Sequence, residues 1–387
     1  MTQVNFSRPD YDVIVVGARP AGAATALNLA RGGARVLVID RAPPGLDTLS
    51  THALMRAGVT LLDRWGVLPR LIAAGTPVVR RTVFDYGDQQ VDVAIKPAGS
   101  VAGLYAPRRT VLDTTLANAA AEAGAELRYG ERLELTLKDP SGRVRGVMTR
   151  DNAGHTRRIT ADLVIGADGR NSTVASLVGA EPYATEDHMS ATVFGYFDAP
   201  ASDAYRWIYR PGTSAGIIPT NDGQVCAFVS VAASRYRDAL ANDPHAAMRR
   251  YFAETAPDME AVIAAGPSDK LRRFPGAPGF MRQSFGPGWA LVGDAGYFKD
   301  PATAHGITDA LRDADSLARA ILSGAPGALA AWQATRDALS RDLFAITDRI
   351  AAHDWTPDEL KMLHQNLHAV MKAEQAHVAQ TETALAA

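Results

Sequence analysis

One cysteine, six lysines and no long apolar run set the first limits on this 387-residue chain. The lone thiol, Cys226, excludes an intramolecular disulfide framework and a thiolate metal cluster, and it fits a reducing compartment. No segment approaches the ~18 apolar residues that a membrane helix needs. The opening MTQVNFSRPD lacks the basic and apolar regions of a signal peptide, so a soluble cytoplasmic protein is expected. Lysine is scarce beside thirty-four arginines and the net charge is only −2. No global field draws nucleic acid or an anionic membrane, and neither is an expected partner. No Ser-His-Asp set, P-loop or metal-ligand cluster stands out, so no metal is expected.

What the chain does have is a buried β-α-β pattern at its start. YDVIVVG (11–17) is a continuous valine-rich run, as in a parallel strand covered on both faces. PAGAATALNLARGG (20–33) reads as a helix with a small-residue face, and ARVLVIDR (34–41) as the next buried strand. Further helices are expected over 51–66, 108–124, about 235–256 and 306–322, and the tail beyond about 328 reads as helical. Residues 126–160 resemble a β-meander with turns at DPSGR and DNAGH, and 161–169 returns to a buried strand. From about 187, SATVFGYFDAP, YRWIYRP, SAGIIPT and GQVCAFVSV give short strands of an antiparallel sheet packed on one face.

The turn between the first strand and helix carries VIVVGARPAG (13–22), a G-x-G-x-x-G fingerprint with arginine at its middle position. Gly17 supplies the tight turn and Gly22 the close helix–strand packing, while Arg19 gives up some closeness but brings a guanidinium within reach of ribose or phosphate. The backbone N–H groups that open the 20–33 helix, beyond Pro20, favour an anion. Asp40 follows 23 residues after Gly17, where a carboxylate accepts from ribose hydroxyls. The context supports a bound dinucleotide.

Two later motifs select which one. DLVIGADGRNS (162–172) resembles the Asp-Gly motif of flavoprotein monooxygenases, and ALVGDAGYFKDPATAHGITDALRDA (290–314) resembles their Gly-Asp motif. Gly293-Asp294, Pro301, Gly306 and Asp313-Ala314 match in order, while Ala304 stands where that family has glycine. Arg109-x-x-Leu112-Asp113 matches an arginine that the family places before L/F-D. The chain thus resembles the FAD-dependent monooxygenase, halogenase and geranylgeranyl reductase superfamily, of the p-hydroxybenzoate hydroxylase type. GARPAG and DTLSTHAL (47–54) resemble a branch of it in which the middle arginine is common.

The resemblance implies an α/β fold: a Rossmann-like FAD-binding domain, an inserted antiparallel β-rich substrate domain and C-terminal helices. FAD-binding segments fall at 1–85, 104–186 and 282–327, substrate-domain segments at 86–103 and 187–281, and terminal helices at 328–387. FAD is the implied cofactor, contacted by Gly17, Arg19, Pro20, Ala21, Gly22, Asp40, Arg41, Thr51, Arg109, Asp168, Gly293, Asp294, Pro301, Gly306 and Ile307. Asp294 would accept from the ribityl hydroxyls. Asp168 would approach the pyrophosphate, and Arg109 the phosphates or flavin edge. His52 and His305 are catalytic candidates, each weighed against an ordinary structural role.

The implied activity is hydroxylation or epoxidation of a hydrophobic small molecule with NAD(P)H and O2. No second Rossmann fingerprint is present, so the nicotinamide binds transiently or a partner flavin reductase supplies electrons. Phe194, Tyr196, Phe197, Trp207, Ile217, Ile218 and Phe228 are expected to supply core and, for about a third of them, pocket. Alternatives are an FAD-dependent reductase or dehydrogenase and a flavin halogenase; SAGIIP keeps Ile218 and Pro219 of the halogenase W-x-W-x-I-P but has Ser214 and Gly216 for its tryptophans. A non-catalytic binding protein is disfavoured by Asp40 and Asp294. The oligomeric state is left open.

Overall fold

The computed structural model describes residues 8–386. Residues 1–7, on which the leader reading chiefly rests, lie outside them. No helix among the described residues is long and apolar enough to cross a membrane.

Five parallel strands form the middle of the first sheet, in the order Trp289–Leu291, Thr156–Gly166, Tyr11–Val16, Val36–Asp40 and Glu126–Tyr129. Alternation explains their unbroken apolar run. Val13 and Val15 belong to one buried core, Ile14 and Val16 to another on the opposite face. Chain order reverses between Tyr11–Val16 and Thr156–Gly166, and in such sheets the crevice at the carboxyl ends beside that switch takes the ligand. All five strands end at the same edge because all five run in one direction.

The second sheet forms the roof. Its seven strands run Arg272–Phe274, Ser190–Asp198, Gln224–Ala232, Thr213–Pro219, Ala204–Arg210, Arg81–Asp85 and Gln90–Ala94. Only Ala204–Arg210 and Arg81–Asp85 pair in parallel. Residues 81–85, expected in the first FAD-binding segment, are therefore bonded into the roof sheet instead. The roof also differs from a sheet packed on one face. Phe197 and Ile217 share an outer core with Met248, Phe252 and Ile263, whereas Phe194, Tyr196, Trp207 and Ile218 belong to the inner core.

Several sequence boundaries shift for local reasons. The helix expected over 51–66 occupies only Arg56–Arg64. Leu54 N donates to Tyr105 O and Met55 N to Thr308 Oγ1, so tertiary bonds hold the preceding residues extended. The helix expected over 235–256 divides into a widened turn, Arg237–Ala241, and a helix, Pro244–Thr255. Pro244 has no N–H to continue a helix, and the Asp243 carboxylate accepts from Ala246 N to start a new one. The expected meander ends inside one long strand, Thr156–Gly166, whose first half pairs antiparallel with Val144–Asp151 and whose second half joins the parallel sheet. The tail folds as Ala328–Ala351 and Pro357–Ala386, and Arg64 of the first sheet's helical layer donates to Val378 O on the last helix.

Candidate functional site

The strand ends build the site. Gly17 (φ +107°) turns the chain so tightly that a Cβ there would lie 2.4 Å from Ala167 O, and a Cβ on Gly22 would lie 1.8 Å from Gly17 O. Glycine is required at both. The middle position is different: Arg19 has φ −84° and ψ −174°, extended backbone open to any residue. Arginine replaces glycine there without strain, and its Nη1 donates to Thr48 Oγ1 at 2.7 Å on the facing loop. Arg19 thus joins the glycine turn to that loop while lining the cavity.

These turns surround a cavity of about 580 Å³, within the range of roughly 300–1,000 Å³ typical of ligand sites. Its wall takes Gly17, Arg19, Pro20, Ala21, Asp40, Arg41, Thr51, Arg109, Asp168, Asp294, Pro301, Gly306 and Ile307, with both His52 and His305. Gly22 and Gly293 lie behind the wall. Gly22 packs on the Gly17 turn, and a Cβ on Gly293 (φ +59°) would meet Ala21 Cβ at 2.9 Å. Motifs separated by nearly 300 residues thus meet on one space.

The charged groups divide by what already holds them. Asp40 accepts from Ala18 N and Ala42 N, each at 2.8 Å, and so ties both flanks of its strand end together. Arg109 makes a bidentate pair with Asp113 one turn along its own helix, at 2.8 Å for both bonds, so its charge reaches the cavity already compensated. Asp168 accepts from Ser172 Oγ at 2.5 Å and from Thr173 N at 2.6 Å, which is helix capping at the cavity edge. Burial raises its carboxyl pKa despite those bonds.

Asp294 stands apart. It lines the cavity, and no hydrogen bond reaches its side chain from the described residues. Burial pushes its pKa up to about 6, with Lys299, Arg109 and Arg170 pulling the other way. A carboxylate so placed lacks donors, and a polyol chain would supply them. Two helix starts, Pro20–Arg31 and Gly306–Ser323, also open on the cavity with no side-chain cap. Their free N–H groups suit phosphate and a negatively charged ring. The residues present fit an FAD.

His52 is 2% exposed, sits at φ +48° and stacks on Tyr196 with ring centroids 5.6 Å apart. Burial, then the charges of Arg108 and Arg109, push its pKa down to about 3, so the ring is neutral at physiological pH. Its loop is strapped from the roof side as well: Asp47 Oδ2 accepts from both Arg108 and Arg272 at 3.0 Å. His305 is buried and bonded to Glu374.

Sequence reasoning missed Leu49, Glu131, Phe298, Lys299 and Asp300, all on the cavity wall. Lys299 carried a legible signal, a rare lysine inside the Gly-Asp motif. Glu131, 2% exposed, carried none. Of the seven roof residues, about a third of which were expected in a pocket and the rest in the core, none lines this cavity; six are packed into the two cores on either side of the roof and Phe228 packs against one of them. Cys226 is core, and burial pushes its thiol up to about 12.

The family model described as FAD binding domain matches residues 10–342. The chain belongs to this family, and it is an FAD-dependent oxidoreductase. Among curated proteins it is 29% identical over 314 residues to a digeranylgeranylglycerophospholipid reductase of Methanocella arvoryzae, covering 79% of this chain and 75% of that one. It is 29% identical over 330 residues to a menaquinone reductase of Mycolicibacterium smegmatis, covering 81% and 76%. Among solved structures it is similar in fold to PqsL of P. aeruginosa (TM-score 0.78, 20% identity, 94% and 99% covered) and to the flavin-dependent brominase Bmp2 (TM-score 0.75, 16% identity, 97% and 98% covered).

Proposed function

We propose that the protein is an FAD-dependent monooxygenase that hydroxylates or epoxidises a hydrophobic small molecule, using NAD(P)H or a partner reductase and O2. FAD when bound supplies the electron chemistry: it accepts two electrons and passes them on to oxygen or to an organic substrate. This chain's residues hold it and exclude water. Asp294 would accept from the polyol, the turn at Gly17 and Gly22 would admit the pyrophosphate, and the start of Gly306–Ser323 would favour the negative charge of a reduced ring.

The observation that carries the choice of a small substrate is the packing of the roof. Its inner face is filled by its own buried side chains, Phe194, Tyr196, Trp207 and Ile218, none of which lines the cavity. A compact molecule needs only the space next to the ring, whereas a polyprenyl chain needs a channel through that packing. The second reading, reduction of a carbon–carbon double bond, is favoured by the relatives named as reductases.

One experiment separates the two. The purified protein, loaded with FAD and given NAD(P)H with or without a flavin reductase, is incubated with a panel of small aromatic and isoprenoid compounds under air and under argon. Products one oxygen atom heavier, formed only in air, are expected. Products two hydrogen atoms heavier, formed equally under argon, sink the monooxygenase reading, as does halide incorporation. The protein's place in the reducing interior of the cell, expected from its composition, is part of the same proposal.

A further inference from the structure

Behind the cavity wall lies a knot of ionisable side chains with almost no access to water. His305, 1% exposed, precedes the helix Gly306–Ser323 and lines the cavity. Its Nε2 lies 2.7 Å from Glu374 Oε2, and the other oxygen of Glu374 accepts from Arg312 Nη1 at 2.6 Å. Glu374 comes from the last helix, beyond the residues matched by the family model. Arg312 also lies 3.2 Å from Asp309 Oδ1 and 3.3 Å from Asp313 Oδ1, and donates to Ser340 Oγ at 2.8 Å. Lys299 pairs with Asp309 Oδ2 and sits 5.0 Å from the centre of the Tyr297 ring.

His305, Asp309 and Glu374 could offer ligand atoms within 4.8 Å of one another. Lys299 and Arg312 already occupy those carboxylates, so the knot is an ion-pair network rather than a metal cage. Its formal charge is uneven. Two cations, Lys299 and Arg312, face three carboxylates, Asp309, Asp313 and Glu374; burial pulls Lys299 down to about 7, so the knot carries −1 while Lys299 is protonated and His305 neutral, and zero once His305 is protonated as well. Glu374 accepts the Nε2 proton, so Nδ1 is the ring's vacant proton site, and it is buried with no partner among the described residues. Burial holds the imidazole pKa down and Glu374 opposes it. A new negative charge in the cavity would tip that balance toward the protonated ring.

We propose that His305 takes a proton on Nδ1 when a flavin bound in the cavity is reduced, with Glu374 as its standing counter-ion. The proposal rests on the FAD reading. Two electrons and one proton leave the reduced cofactor with one negative charge; the second proton, drawn from the buffer, goes to His305, so that two electrons enter with two protons. Charge then balances within the knot rather than at the helix start alone. Glu374 is a positioning residue here, since it acts only through His305.

The test is the pH dependence of the flavin midpoint potential, measured by spectroelectrochemistry on the FAD-loaded protein across neutral pH. The wild-type potential is expected to fall with the slope of two protons per two electrons. His305→Asn and Glu374→Gln are expected to show half that slope. Glu374→Gln keeps the shape and the acceptor, so it carries the test if His305→Asn does not hold FAD. An undiminished slope in both variants overturns the proposal. So does a halved slope in Lys299→Met or Asp294→Asn while His305→Asn matches wild type, because the redox-linked proton then belongs elsewhere. A colourless protein that takes up no FAD overturns the FAD reading, whereas a yellow wild-type protein with the one-proton slope overturns this inference alone.

Discussion

The floor and the roof of this protein are both built from strands, yet their side chains do opposite things. Floor strands end in turns whose small or charged residues are left facing a space, and Asp294 there has no donor among the described residues. The central roof strands place large side chains on both faces, and both faces are filled; the edge strand Gln90–Ala94 lies exposed. The contrast separates two meanings of an apolar strand. A run that stops at glycine and aspartate marks a ligand edge; a run of aromatics and β-branched residues with no such ending marks packing.

Substitutions can break that contrast. The largest effect is expected from Gly22→Ala, whose Cβ would fall 1.8 Å from Gly17 O. Helix and strand must separate, at a cost on the order of 4 kcal/mol or more, and the protein should purify without FAD; absorbance near the flavin bands against protein concentration checks it. Phe197→Ala is the roof counterpart. It should cost about 3–5 kcal/mol in denaturant unfolding, while FAD affinity of the folded fraction stays unchanged because Phe197 faces the outer core.

Asp294→Asn comes next. Losing charge-assisted bonds to a polyol should weaken FAD binding by about 10- to 100-fold, measured by fluorescence titration. The pH dependence has a definite sign. The folded carboxyl titrates at about 6, above its ordinary 3.8, so without ligand it costs the fold stability as pH rises from 3.8 through about 6. FAD donors favour the carboxylate, so wild-type affinity should be full above that range and fall as pH drops through about 6. The Asn variant should be flat there. Smallest is Ala304→Gly. Ala304 holds φ +50° where the resembled motif has glycine, and relieving that conformation should stabilise the protein by about 1 kcal/mol or less, seen as a small rise in melting temperature.

Much of the floor was legible in the sequence because its requirements are local and covalent in origin. A positive φ at Gly17 and a buried parallel run at 11–16 leave residue-type signatures that need no knowledge of the rest of the chain. The roles of Arg109 and Asp168 were harder. Each lies on the cavity, but Arg109 is matched by Asp113 on the next turn and Asp168 caps the helix that follows, and spacing alone does not apportion a charge between neighbours. The roof side chains carried no signal that divides core from pocket, because size and apolarity are shared by both. Glu374 gave no signal at all. It lies in a weakly amphipathic tail, 69 residues from His305, and only tertiary packing joins them.

The loop carrying Asp47 and Thr48 has one further consequence. Arg19 fastens it from the glycine turn, and Arg108 and Arg272 fasten it from the opposite side. Two adjacent residues therefore bolt the glycine turn to the roof strand Arg272–Phe274 through a single loop. Because Arg108, Arg272 and Asp47 are largely shielded from water, dissolved salt should loosen that joint only slightly.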